Sequence, residues 1–167
     1  MIRLDVEVAR MLNEVAATDA DLERSEVECV ETNTAFIVGN RYWLFVWDKN
    51  NVAPGVSKMF KGKGTLGNKG KIDDDWLHIV FPMKIFSPCE EIHPCKKDLR
   101  NGVLFFLDET SRKQAFKKEY ITAMYTIFGR PRTHMALKAT NGKRYGYLAV
   151  RSREDGSVVC AIAPKIV

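Results

Sequence analysis

The sequence predicts an α+β protein: a single domain of mostly antiparallel sheet, with an N-terminal amphipathic helix, a second helix near 111–128 and a C-terminal β-meander. Three observations carry that expectation. Leu4, Val8, Met11, Leu12 and Val15 repeat at helical spacing, with Arg3, Glu7, Arg10 and Glu14 on the other faces. From residue 26 onward, short β-branched and aromatic runs recur between turn formers. The dipeptides Asn141-Gly142 and Asp155-Gly156 near the end are hairpin signals, because two-residue turns of that composition match the twist of paired strands. With 167 residues and 46% hydrophobic content, the chain can build one real core without disulfides or metals. Residues 1–167 are read as one α+β domain with an acidic lobe at about 1–57 and a basic lobe at about 58–167.

In chain order, the first helix gives way to acidic loop residues. Strands follow near 26–31 and 34–38, and the Gly39-Asn40 turn leads into a strong strand at 41–48. Residues 49–71 lack periodicity and read as a long loop. DWLHIVFPMKIF (75–86) has strand character, with Pro82 favouring an edge or a break. GVLFFL (102–107) reads as a buried strand. Ser111 and Gln114 fit a capping box, and Phe116, Tyr120, Met124 and Phe128 line one face of the helix they would open. Gly129 and Pro131 end it.

Charge is divided unevenly. Residues 1–57 hold five basic and ten acidic residues, whereas 58–167 hold 21 basic and 11 acidic. Residues 111–153 carry eleven lysines and arginines against the single acid Glu119. Such a concentration points to a polyanion, because each neutralised phosphate releases condensed counterions. The N-terminus has acids where a signal peptide needs an apolar core, and no stretch reaches the length of a membrane span. The expected setting is cytoplasmic, with Cys29, Cys89, Cys95 and Cys160 as free thiols.

The stretch NGKRYGYLAV (141–150) suggests how the polyanion would be held. An Asn-Gly turn of type I′ pairs Thr140 with Lys143, Lys138 with Tyr145, Ala136 with Tyr147 and His134 with Ala149. Alternation then gathers Arg132, His134, Lys138, Tyr145, Tyr147 and Arg151 on one face. Met135, Leu137, Gly146, Leu148 and Val150 fall on the other, ready to sit on the helix. Aromatic rings among cations on an exposed sheet stack single-stranded bases. The octet KRYGYLAV resembles the RNP1 strand of RNA-recognition motifs, matching it at Lys143, Tyr145 and Gly146 and departing at Arg144 and Val150. The resemblance spans about fifty residues. The family's second helix and fourth strand have no counterpart in the sixteen residues after Arg151.

The loop KMFKGKGTLGNKGK (58–71) has five lysines, four glycines and no acid, so it is suited to following phosphates. Gly62, Gly64 and Gly67 satisfy G-x-G-x-x-G without the strand–helix context a nucleotide needs, and the spacing of a P-loop is not met.

Two kinds of chemistry are possible beside binding. Cys89, His93 and Cys95 form C-x3-H-x-C, a spacing outside the usual zinc pairs, with His78, Cys29 or Cys160 as a candidate fourth ligand. Glu31 and Asp48, on strands expected to be neighbours, distantly resemble the acidic site of PD-(D/E)xK nucleases, with Lys49 adjacent to the acid and Asn50 in the lysine's place. Asp73 and Asp75 are a second acidic pair.

The expected function is nucleic-acid binding without chemistry of its own, to RNA or DNA with single strands favoured. Phosphates would meet Lys58, Lys61, Lys63, Lys69, Lys71, Arg130, Arg132, Lys138, Lys143, Arg144 and Arg151, and bases would stack on Tyr145 and Tyr147. No cofactor, metal or membrane is expected. The alternatives are a Mg²⁺-dependent nuclease at Glu31 and Asp48, or a protein-interaction or inhibitory module. In the latter, the acidic lobe would meet a protein partner or a second copy of the chain.

Overall fold

A computed structural model describes residues 1–19, 26–60, 62–63, 89–95, 102–137, 146–152, 154 and 156–165. The described residues form two helices and a mainly antiparallel sheet, the α+β class the sequence predicts. The chain divides into two compact units, Met1–Pro82 and Met83–Val167.

In the first unit, Asp5 caps helix α1 (Val6–Ala17) by accepting from the Val8 N–H at 2.9 Å. Val8, Ala9, Leu12 and Ala16 form its buried stripe. Strands β1 (Glu28–Glu31), β2 (Ala35–Gly39) and β3 (Trp43–Asp48) make an antiparallel meander, and β4 (Gly62–Lys63) pairs parallel to β1. Every second residue of β3 is aromatic, so Trp43, Phe45 and Trp47 share a face, with ring centroids 5.6 and 6.0 Å apart. Leu44 on the opposite face is also fully buried. Asn40 closes the β2–β3 turn: its Oδ1 accepts from the N–H groups of Tyr42 and Trp43, while its own N–H donates to the Trp43 carbonyl. The expected loop after β3 is more ordered than its composition suggests, with two 3₁₀ turns, Lys49–Asn51 and Val56–Met59. A parallel bridge from Leu4 to Val52 and a bond from Trp47 Nε1 to the Ile2 carbonyl tie the N-terminal segment to this region.

The second unit has strands β5 (Cys89–Pro94), β6 (Val103–Leu107), β7 (Lys113–Lys117), β8 (His134–Leu137), β9 (Leu148–Arg151) and β10 (Val158–Ile162). Helix α2 (Lys118–Phe128) lies between β7 and β8 in sequence. The spatial order is β10-β9-β8-β5-β6-β7, antiparallel throughout. The C-terminal meander β8-β9-β10 is present as expected. The β7 edge is partly covered by Lys165, whose N–H donates to the Ala115 carbonyl.

Two expectations are corrected here. The helix foreseen from Ser111 begins only at Lys118. Residues 113–117 pair instead with β6, from Leu107↔Lys113 to Val103↔Lys117. Ser111 has φ 61° and closes the β6–β7 hairpin rather than capping a helix. Phe116 is therefore a strand residue, packed edge-on against Phe106. The second correction is one of register. Ala136 pairs with Leu148 and Met135 with Ala149, one residue from the expected alignment. A slip of one residue moves every side chain of a strand to the other face. Tyr147 thus leaves the face of His134 and Ala136. The third strand meets Arg151 at Val158, then shifts register between Val158 and Cys160.

Candidate nucleic-acid interface

The β6–β7 hairpin leads directly into α2. Asp108 organises its turn: one carboxylate oxygen accepts from the Thr110 N–H, the Thr110 hydroxyl and the Arg112 N–H, at 2.7–2.9 Å. Burial raises the Asp108 pKa, but these hydrogen bonds and the Arg112 charge outweigh it, and the net shift is downward. The strand that follows carries Lys113 over the Phe105 ring and Lys117 over the Tyr120 ring, at 5.8 and 5.4 Å.

Helix α2 buries Tyr120, Ile121, Ala123, Met124 and Ile127. Its solvent side is Lys118, Thr122 and Thr126, all exposed, with Tyr125 half-buried beside them. The spacing of four keeps the three exposed residues on one ridge. Thr122 and Thr126 donate their hydroxyls back to the carbonyls of Lys118 and Thr122, at 3.0 Å each. Glu119, the only acid in residues 111–153, is half-buried, and its Oε2 is sealed from solvent without a hydrogen-bond partner among the described residues.

At the helix end, Gly129 adopts φ 79°, which a residue with a Cβ resists, and the chain turns back. Arg130 then lies 5.9 Å from the centre of the Tyr125 ring. The Tyr125 hydroxyl and His134 Nε2 are 2.7 Å apart, and the His134 ring packs on Phe106. Burial, with the charges of Arg130 and His93, pushes the His134 pKa down. Burial pushes that of Tyr125 up, against the pull of Arg130. Expected as a sheet-surface residue, His134 is instead 5% exposed, and its strand face is the one that meets α2.

The residues expected to touch nucleic acid are dispersed. Arg130 and Arg132 are exposed at the end of α2. Arg151 is half-buried and donates from Nε to Cys89 Sγ at 3.2 Å. Tyr147 is half-buried, off the His134 face. Lys58 is exposed on the second 3₁₀ turn of the other unit, and the backbone of Lys63 lies in β4. Lys61, Lys69, Lys71, Lys138, Lys143, Arg144 and Tyr145 lie outside the described residues, as do His78, Asp73 and Asp75. The expected site omitted Arg112, Lys113, Lys117 and Lys118, although the cluster of basic residues at 111–153 already contained them.

Neither chemical alternative gathers its groups. Glu31 and Asp48 are separated by β2, about 10 Å across the sheet. They also point to opposite faces, since Glu31 aligns with Phe36 and Trp47, whereas Asp48 aligns with Ala35. Glu31 instead pairs with Lys49 at 3.6 Å, and Asp48 accepts from the Asn50 N–H. The cleft beside that pair, about 170 Å³ and lined by Glu31, Phe36, Lys49, Pro54 and Ser57, is smaller than the roughly 300 Å³ at which small-molecule pockets begin. Cys89 and His93 stand four residues apart on extended β5, about 13 Å, too far to ligate one zinc at bond lengths of about 2.0–2.3 Å. Among the described residues, no three His, Cys, Asp or Glu side chains cluster to hold a metal. No described helix is long and apolar enough to cross a membrane.

No family model, curated protein or solved structure matches the chain. The functional reading therefore rests on its own residues.

Proposed function

We propose that this protein binds nucleic acid through the basic surface of its second unit, without chemistry of its own. The observation that carries the reading is the charge around α2. Arg112, Lys113, Lys118, Arg130 and Arg132 are exposed, Lys117 is half-exposed, and the one acid of that stretch has a carboxylate oxygen turned inward. The unit as a whole holds sixteen basic and eight acidic residues. Lysines 58, 61, 63, 69 and 71 of the glycine-rich loop, in the first unit, are proposed separately as phosphate contacts. A cytoplasmic setting goes with such a partner.

The test is fluorescence-anisotropy binding to labelled oligonucleotides across a salt series. A surface that neutralises four phosphates gives a log–log slope of about −3.6 and about a hundredfold loss of affinity between roughly 50 and 200 mM salt. Absence of binding at the lowest salt sinks the proposal. So does binding that ignores salt, since charge is its foundation.

A further inference from the structure

We infer that the exposed ridge of α2 is the contact surface and that its partner is B-form duplex DNA, with the helix lying in the major groove. This rests on the nucleic-acid reading above and names the substrate class of the same site. The expectation of single strands depended on Tyr147 sharing a face with His134, and the register removes Tyr147 from that face together with Arg151, which is half-buried against Cys89. What the second unit presents instead is a helix with charge at its ends and neutral residues between.

The geometry fits a groove. Helix α2 is eleven residues long, about 16 Å, and an α-helix with side chains is about 10–12 Å across. The major groove of B-DNA is about 12 Å wide, while that of an RNA duplex is too narrow for side chains to read. Lys118 opens the ridge, and Arg130 follows its far end, held over the Tyr125 ring. These cations suit the phosphate walls on either side. Between them, Thr122 and Thr126 have their hydroxyl protons committed to the helix backbone, so they offer methyl groups and acceptor oxygens to the groove floor. A carboxylate on the ridge would repel the DNA, and Glu119 lies off the Lys118–Thr122–Thr126 row, half-buried with its Oε2 out of solvent. Two lysines at the helix start also sit at the positive end of the helix dipole, an arrangement unfavourable in isolation that an approaching polyanion reverses.

The experiment compares the intact protein with its Thr122→Glu/Thr126→Glu double variant on a DNA duplex, an RNA duplex and the single strands of the same sequence. Both threonines are exposed, and glutamate is a good helix former, so the variant is expected to fold, with circular dichroism as the check. Tightest binding to the DNA duplex is expected, with about a tenfold or greater loss in the double variant. Lys118→Ala and Arg130→Ala should each reduce the salt slope by about one. If the intact protein binds no nucleic acid, the functional proposal itself fails. If it binds but the double variant binds equally well, the surface lies elsewhere and the inference alone falls. Preference for single strands or for the RNA duplex overturns the groove assignment.

Discussion

The two units carry opposite net charge. Met1–Pro82 holds ten basic and thirteen acidic residues, a net of −3, whereas Met83–Val167 has a net of +8. In the first unit, polar groups close backbone turns. Asn40 is fully buried and holds the β2–β3 turn, while Asp5 and Asp48 cap the turns that follow them. In the second, Tyr125 and His134 form a titratable pair at the inner edge of α2, and the cations face outward around it. Exposed cations, not carboxylates, dominate the stretch around α2, and that is the feature a polyanion would meet.

Two glycines sharpen that contrast and carry the largest expected effect. A Cβ on Gly39 would lie 2.3 Å from the Trp43 carbonyl oxygen, which the turn holds in place. A Cβ on Gly146 would meet the end of the Gln114 side chain at 3.0–3.1 Å and Ala136 Cβ at 3.3 Å. Gln114 can swing aside, whereas the turn backbone cannot. Gly39→Ala is expected to cost about 3 kcal/mol, the upper end for overpacking. Gly146→Ala is expected to cost about 1 kcal/mol or less, because alanine also restricts the unfolded chain. Denaturant midpoints measure both. Equal costs would mean that the surroundings of Gly146 are as rigid as the β2–β3 turn and would break the comparison.

The Tyr125–His134 pair comes next. His134 has its pKa lowered by burial and by Arg130 and His93, so the folded protein binds fewer protons than the unfolded chain just below pH 6.5. Its contribution is present above that pH and is lost as pH falls through the depressed folded value. Tyr125 is raised above 10, mainly by burial, so its contribution is present below pH 10 and is lost as pH climbs through the raised value. Stability should therefore fall on both sides. His134→Leu should flatten the acid side, as read by urea midpoints between about pH 5 and 7.5. Tyr125→Phe, which strands a buried histidine nitrogen, should cost about 1–3 kcal/mol. An unchanged acid limb in His134→Leu would assign that limb to other groups.

How much of this was visible beforehand follows from the range of the forces. The α1 stripe and the β3 run reflect local periodicity and burial, and both were legible. The stretch KQAFKKEYITAMYTIF carries a helical period from its start, but Lys113–Lys117 also alternates, and pairing with β6 decided between them. The β8–β9 register depended on an assumed turn geometry at Asn141-Gly142, and one residue of offset changed which face holds Tyr147. The Tyr125–His134 contact joins a helix end to a strand across a turn, and no spacing rule reports it. Charge, which needs only composition, was legible in full, and it led to the α2 ridge even though several of its lysines were not singled out.

The smallest effect tests the hairpin that positions that ridge. Ser111 holds φ 61°, which costs an L-residue about 1–2 kcal/mol, whereas glycine adopts it freely. Glycine loses about 0.5–1 kcal/mol more in ordering, so Ser111→Gly should gain only about 0.5 kcal/mol, or about 1–2 °C for a chain of this size. Asp108→Ala acts in the other direction, because three hydrogen bonds in the turn lose their acceptor, and a cost of about 1–2 kcal/mol is expected. Since the Asp108 pKa is held below 3.8, that contribution persists at neutral pH and fades only as pH falls through its lowered value. The turn sets where β7 begins, and β7 runs directly into α2, so disorder there should reach the ridge. Asp108→Ala is therefore expected to weaken DNA binding several-fold, whereas Ser111→Gly leaves it unchanged. A variant that loses stability but keeps full affinity would show that α2 is held by its own buried face, independently of the hairpin.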